Sequence, residues 1–248
     1  GFVGLNIVEA ALGRGEDVVL ISDKPVPENA QRAFASLPGR LQIHIADVRD
    51  GAAFQRILAA YRPDALFPFA AITPGLEREK AAPESVVEIN VLALMSQIRA
   101  ARDEGVRKIV APASGAVYGE STYKFARLTE DETPCVPNTI YGATKCAAET
   151  VALRLGEIWD LDIKVARIGG VFGPWEHESG ARETFGPFFR MLSHAMAGRE
   201  IVLSEKIPSA CAIYSRDLAN ALLWLAALEP GGRRVFNISS ERNWIKDL

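Results

Sequence analysis

Short apolar runs alternate along this chain with longer amphipathic stretches, and that alternation limits the fold more than any other feature. Leu5, Val8, Ala11 and Leu12 recur at helical spacing and stop at Gly13 and Gly15, before an apolar run over 17–22 that ends in Asp23. The spacing then predicts a helix over 29–37, a strand over 41–46, a helix over 52–61 and a strand over 65–69. It continues with a helix over about 85–103, a strand over 108–111, a long loop through Pro134 and Pro137, a helix over 141–159 and a strand over 163–168. Strands that are apolar throughout must be covered on both faces, so the expected class is α/β, a doubly wound parallel sheet. After Gly173-Pro174 the pattern changes to a glycine- and charge-rich loop up to Gly186, a helix over 187–197, a short strand over 201–203, a helix over 216–228 and a helix-like end over 241–248. The expected division is one domain over 1–173 and a smaller, interleaved region over 174–248, with no internal repeat.

Composition narrows the function classes. With 48% hydrophobic residues in 248 the chain can fill a core, and a formal net charge of −3 with pI ≈ 5.8 offers no basic footprint for nucleic acid. Small molecules are the expected partners. The longest apolar runs, such as 219–228, fall well short of the roughly 20 residues a membrane span needs, and no secretion signal precedes them, so a soluble cytoplasmic protein is expected. Cys135, Cys146 and Cys211 form neither a CxxC pair nor an even framework, which fits a reducing compartment. His44, His177 and His194 are scattered with no ligand spacing between them, so no metal site is expected.

The chain opens at Gly1-Phe2-Val3-Gly4 directly on a helix, whereas a Rossmann-type sheet needs a strand before that helix; the sequence therefore reads as truncated at its start. Glycines three apart at a helix N-terminus let backbone N–H groups approach a pyrophosphate, or else only permit close packing of helix on strand. Asp23 stands at the tip of the next strand, about 20 residues on, where an acid hydrogen-bonds the adenosine ribose and repels a 2′-phosphate. That favours NAD over NADP, although Lys24 works against it; the plainer alternative is a solvated turn residue.

Tyr141-Gly142-Ala143-Thr144-Lys145 opens a helix and stacks Tyr141 over Lys145 at i and i+4. A neighbouring ammonium favours tyrosinate, so this spacing suits a tyrosine acid/base tuned by a lysine. Ser114, in Ser114-Gly115-Ala116-Val117-Tyr118-Gly119, follows a strand and so falls at the carboxyl edge of the sheet, where ligands bind in such folds.

The order of GFVG, Asp23, Asp47-Val48, Phe69-Ala70-Ala71, Asn90, SGAVYG, YGATK and Arg167 followed by Val171-Phe172-Gly173-Pro174 resembles the extended short-chain dehydrogenase/reductase superfamily, in its NAD-dependent epimerase/dehydratase branch. The likeness runs from Gly1 to about Asn237. It implies an NAD cofactor held by Gly1, Phe2 and Gly4, with Asp23 at the adenosine ribose, Asp47 and Val48 at the adenine, and Ala70 and Ala71 beneath the cofactor. It also implies a catalytic set of Ser114, Tyr141 and Lys145, with Lys145 reaching the nicotinamide ribose. Asn90 matches a helix asparagine that supports the site in relatives, or simply satisfies a local backbone kink. The implied activity is hydride transfer between a carbohydrate C–H and the nicotinamide, returned in an epimerase or dehydratase and released in a dehydrogenase. A homodimer through the 85–103 and 141–159 helices is implied as well.

Two departures bear on substrate. Gly170 stands where nucleotide-sugar relatives carry an asparagine, and Ala210 where they carry a diphosphate-binding arginine, which moves a free sugar or sugar acid alongside a nucleotide sugar as the expected substrate. His177 reads as a substrate contact or a solvated loop residue, Tyr118 as pocket-facing or packed, Lys124 and Arg127 as anion-binding or merely exposed, and His44 as a packed core residue. A catalytically silent NAD-binding sensor or scaffold is the competing reading, and an inactive fragment a third.

Overall fold

The structure is a computed structural model and describes residues 1–176, 183–202 and 212–240. Helix α1 (Phe2–Gly13) leads into β1 (Val18–Ser22), α2 (Glu28–Phe34), β2 (Leu41–Ile45), α3 (Gly51–Tyr61) and β3 (Ala65–Leu66). Next come α4 (Leu76–Ala81), α5 (Pro83–Val87), a π turn (Glu88–Ala93) and α6 (Leu94–Asp103). After β4 (Lys108–Ser114) and two short 3-10 turns lie α7 (Ile140–Trp159), β5 (Asp162–Ile168) and β6 (Gly170–Phe172). The remainder is α8 (Pro187–Met196), β7 (Ala212–Tyr214), α9 (Ser215–Ala227) and β8 (Val235–Ile238).

Every ladder is parallel: β1 with β2, β3-β4-β5-β8 in that order, and a small β6-β7 pair. Side chains alternate as a two-sided sheet requires. In β4 and β5, Ile109, Ala111, Ala113, Ile163 and Val165 face α3, α6 and α7, packing on Phe54, Leu58, Leu94, Ile98, Ala148, Ala152 and Leu155. Val110 and Ala166 face the other way, onto Ile7 and Ala11 of α1 and Leu218, Leu222 and Leu225 of α9. Side chains such as Leu12, Ile98 and Leu222 are wholly buried, each contributing about 1.5–3 kcal/mol.

A cleft of about 1390 Å³ is lined by α1, β1 and β3, by the turns leading into β1 and β3, and by the loops after β1, β2 and β3. The expected strand over 65–69 shortens to two residues, and the Phe69 N–H bonds back to Phe67 O at 2.9 Å instead of to a neighbouring strand.

Several other expectations need amendment. The single helix over 85–103 is α5, a π turn and α6 in succession, preceded by the unexpected α4. The strand over 108–111 runs on to Ser114. Strands β6, β7 and β8 are additional, and β8 adds a strand from the 174–248 region to the main sheet. The strand expected over 201–203 is absent at Ile201 and Val202, whose apolar side chains are exposed rather than packed. Leu203, Ala210, Cys211, His177 and the stretch 241–248 lie outside the described residues. Among the described residues no helix is long and apolar enough to cross a membrane.

Candidate active site

The cleft collects Gly1, Gly4, Asp23, Asp47, Val48, Ala70 and Ala71 on one surface. Gly1 is the N-cap of α1, and a Cβ added at Gly1 or Gly4 would meet nothing within 4 Å. A glycine at this helix end leaves room for a ligand at the positive helix terminus. Phe2 differs from its neighbours, since its side chain is buried and does not line the cleft. Asp23 follows the last residue of β1 and shares the cleft wall with Gly1 and Gly4. The Asp47 carboxylate is engaged by Arg49, through the backbone N–H at 2.9 Å and the guanidinium at 2.6 Å, and these bonds hold its pKa below the ordinary value. Arg49 is a cation on this wall that its sequence context did not single out.

Ser114, Tyr141 and Lys145 lie beside the cleft rather than in its lining. Ser114 ends β4, and its Oγ accepts the Ala116 N–H at 3.2 Å, which leaves the hydroxyl proton free to donate elsewhere. Tyr141 sits in the first turn of α7, whose N-cap Thr139 accepts from Gly142 N–H at 3.0 Å. Gly142 explains how close this turn comes to the Ser114 loop: a Cβ there would lie 2.7 Å from the Ala116 carbonyl oxygen. Lys145 is only 3% exposed; its Nζ stands 5.8 Å from the Tyr141 ring centroid and donates to Pro112 O at 3.4 Å. Burial lowers its pKa to about 8.

Asn90 joins the two groups of residues. It lies in the π turn, a distortion that often marks functional positions, and is 2% exposed. Its Oδ1 accepts from Ile72 N–H at 2.9 Å, while Nδ2 donates to Ile72 O at 3.0 Å and to Thr144 Oγ1 at 3.2 Å. Ile72 follows Ala71 at the cleft, and Thr144 sits between Tyr141 and Lys145. Asn6 does comparable work at the other end, donating to Phe2 O and Pro174 O and accepting from Ser215 Oγ at 2.8 Å, so that α1, the loop after β6 and α9 share one buried amide. Asn6 did not stand out in the sequence, and Gly142 and Thr144 were read only as members of the YGATK run, without roles of their own.

Other candidates fall away from the site. The Tyr118 hydroxyl is packed in a buried network, accepting from Arg167 Nη1 and donating to Asn237 Oδ1 at 2.8 Å, while Arg167 holds Glu149. His44 is hydrogen-bonded to Tyr61 at 3.0 Å but only half-buried, because β2 ends its two-stranded ladder. Lys124 and Arg127 are exposed. Cys135 and Cys146 are half-buried thiols not joined in a disulfide.

A doubly wound parallel sheet with a glycine turn at a helix N-terminus and an acid after the next strand defines a Rossmann-type dinucleotide-binding protein. Residues 1–239 match the NAD dependent epimerase/dehydratase family, and the chain belongs to it. The chain is thus an enzyme of the extended short-chain type whose cofactor is NAD. It is 27% identical over 242 residues to the UDP-glucose 4-epimerase of Mycolicibacterium smegmatis, spanning 97% of this chain and 74% of that protein. It is 28% identical over 189 residues to the dTDP-glucose 4,6-dehydratase of Xanthomonas campestris pv. campestris, spanning 71% of this chain and 52% of that one. The solved UDP-N-acetylglucosamine 4-epimerase of Methanobrevibacter ruminantium, in complex with UDP-N-acetylmuramic acid, matches with a TM-score of 0.81 and 25% identity over 96% of this chain and 73% of that one.

Proposed function

We propose that the protein oxidises a hydroxyl of a carbohydrate, as a transient step in epimerisation or dehydration or as a net oxidation, with Tyr141 as acid/base. The observation that carries this reading is the buried Lys145 ammonium held 5.8 Å from the Tyr141 ring. A pKa of about 8 still leaves Lys145 cationic at neutral pH, and a cation on that face favours the phenolate. Tyr141 takes the substrate hydroxyl proton and returns it; Ser114 donates a hydrogen bond to the oxygen on which charge develops. NAD, when bound, supplies the hydride acceptor and donor. Gly1 and Gly4 receive its pyrophosphate and Asp23 the adenosine ribose, with Val48 and Asp47 at the adenine, Ala70 and Ala71 beneath it, and Lys145 at the nicotinamide ribose. Asn90 supports this set from behind by its bonds to Ile72 and Thr144.

The substrate is proposed to be a nucleotide sugar, the class named for the relatives, or a free sugar or sugar acid, which Gly170 and Ala210 favour by removing an amide and a cation. Residues 1–173 are proposed as the NAD-binding domain and 174–248 as the substrate-binding region of a cytoplasmic homodimer. Val87, Leu92 and Ile158, exposed on the 83–103 and 140–159 segments, support a dimer seam there. The test is to incubate the full-length protein with NAD and a panel of nucleotide sugars, free sugars and sugar acids, following the reduced-nicotinamide band and then the products. Accumulated NADH identifies a dehydrogenase, and an altered sugar without it identifies a returned hydride. NAD binding with no altered sugar across the panel supports a silent sensor instead.

A further inference from the structure

We infer that Glu79, on α4, is a positioning residue for Tyr141; the inference rests on the reading of Tyr141 and Lys145 given above. The first N–H groups of an α-helix have no acceptor within the helix. In α7, Thr139 takes those of Gly142 and Ala143, through its hydroxyl and its carbonyl. The N–H groups of Ile140 and Tyr141 both donate to Glu79 Oε1, at 2.9 and 3.3 Å. Thr139 is local and moves with the helix, whereas Glu79 comes from sixty-odd residues earlier in the chain, so it fixes where the turn carrying Tyr141 stands relative to its surroundings. A carboxylate is also the favourable partner for the positive end of a 20-residue helix.

Core packing does not explain why α4 is there. None of its six residues is buried, and so short a helix has little stability of its own. Polar contacts hold it. Glu183, in the segment leading to α8, accepts from Gly75 N–H at 2.8 Å and from Arg78 Nε at 2.5 Å, and its own N–H donates to Thr73 O at 3.1 Å. These bonds hold the Glu183 carboxyl below its ordinary pKa. The stretch from Thr73 to Glu79 is therefore a strap, tied at one end to the proposed substrate-binding region and at the other to the turn that carries Tyr141.

The experiment compares Glu79→Ala with Glu79→Gln in the full-length protein, because glutamine keeps an acceptor oxygen and alanine does not. In Glu79→Ala, amide exchange at Ile140 and Tyr141 accelerates and kcat falls by roughly tenfold or more with the KM for NAD unchanged, since small misplacements of a reacting group are costly. Glu79→Gln restores slow exchange and returns kcat to within about threefold of wild type, as expected when the carbonyl replaces the carboxylate as acceptor. Unchanged exchange and kcat in Glu79→Ala overturns the inference, and so does equal impairment of the two variants. Tyr141→Phe, measured in parallel, separates the premises: retained turnover there refutes the acid/base reading, while the exchange data still report whether Glu79 holds the turn.

Discussion

Asn90 Nδ2 stands 3.2 Å from Thr144 Oγ1, and Thr144 in turn donates to the Tyr141 carbonyl at 2.9 Å, so a residue of the π turn is linked through two hydrogen bonds to the helix turn bearing Tyr141. The same amide pins both backbone groups of Ile72 at the cleft. Asn90→Ala removes three bonds at a buried position and leaves the Ile72 N–H and C=O without their partner. Unfolding in urea is expected to show a loss of about 2–3 kcal/mol, at the upper end for a buried unsatisfied group. Turnover is expected to fall with it, and a stability within about 0.5 kcal/mol of wild type contradicts the bridging role.

Lys145 should make the chain less stable at neutral pH than it would be without that charge. Burial depresses its pKa from 10.5 in the unfolded chain to about 8 in the folded one. Between those values the unfolded state binds more protons, so this group's contribution to stability rises as pH increases from 8 towards 10.5, and below pH 8 its full cost is present. Lys145→Met is therefore expected to raise the melting temperature near pH 7, with the gain shrinking as pH approaches 10, while turnover is lost. A variant that melts lower than wild type at pH 7 contradicts the origin of the shift in burial.

Asp23 sets the cofactor preference on this account. Binding of NAD is expected to exceed that of NADP, and Asp23→Ser is expected to narrow the gap by relieving repulsion of the 2′-phosphate. Titration of both dinucleotides against both proteins checks this. An unchanged ratio in the variant removes Asp23 from the ribose site.

What the sequence revealed and what it hid have a common physical basis. Strands β1 and β4 were legible from apolar runs, as expected of strands covered on both faces, and β2 and β5 from the alternation of apolar with polar residues. Strands β6, β7 and β8, of three or four residues, are too short for periodicity to register, and β3 stops early where the chain turns into a local bond from Phe69 N–H to Phe67 O. The π turn leaves the apolar pattern of 83–103 almost undisturbed, so it was invisible until Asn90 was seen bridging Ile72 and Thr144. Gly1, Gly4, Asp23, Tyr141 and Lys145 could be singled out because their relationships are local, a spacing or a strand end. Asn6 and Glu79 act on partners more than sixty residues away or on several elements at once, and no local pattern encodes that.

The most direct test of the account is turnover by Tyr141→Phe, measured with the carbohydrate identified from the panel and saturating NAD. Removing the phenolic oxygen while keeping the ring should lower kcat by roughly 10²–10⁴-fold, the usual contribution of a positioned acid/base, and leave NAD affinity nearly unchanged. Turnover within a few-fold of wild type would mean that Tyr141 does not move the proton, and that the chemistry of this cleft belongs to another residue.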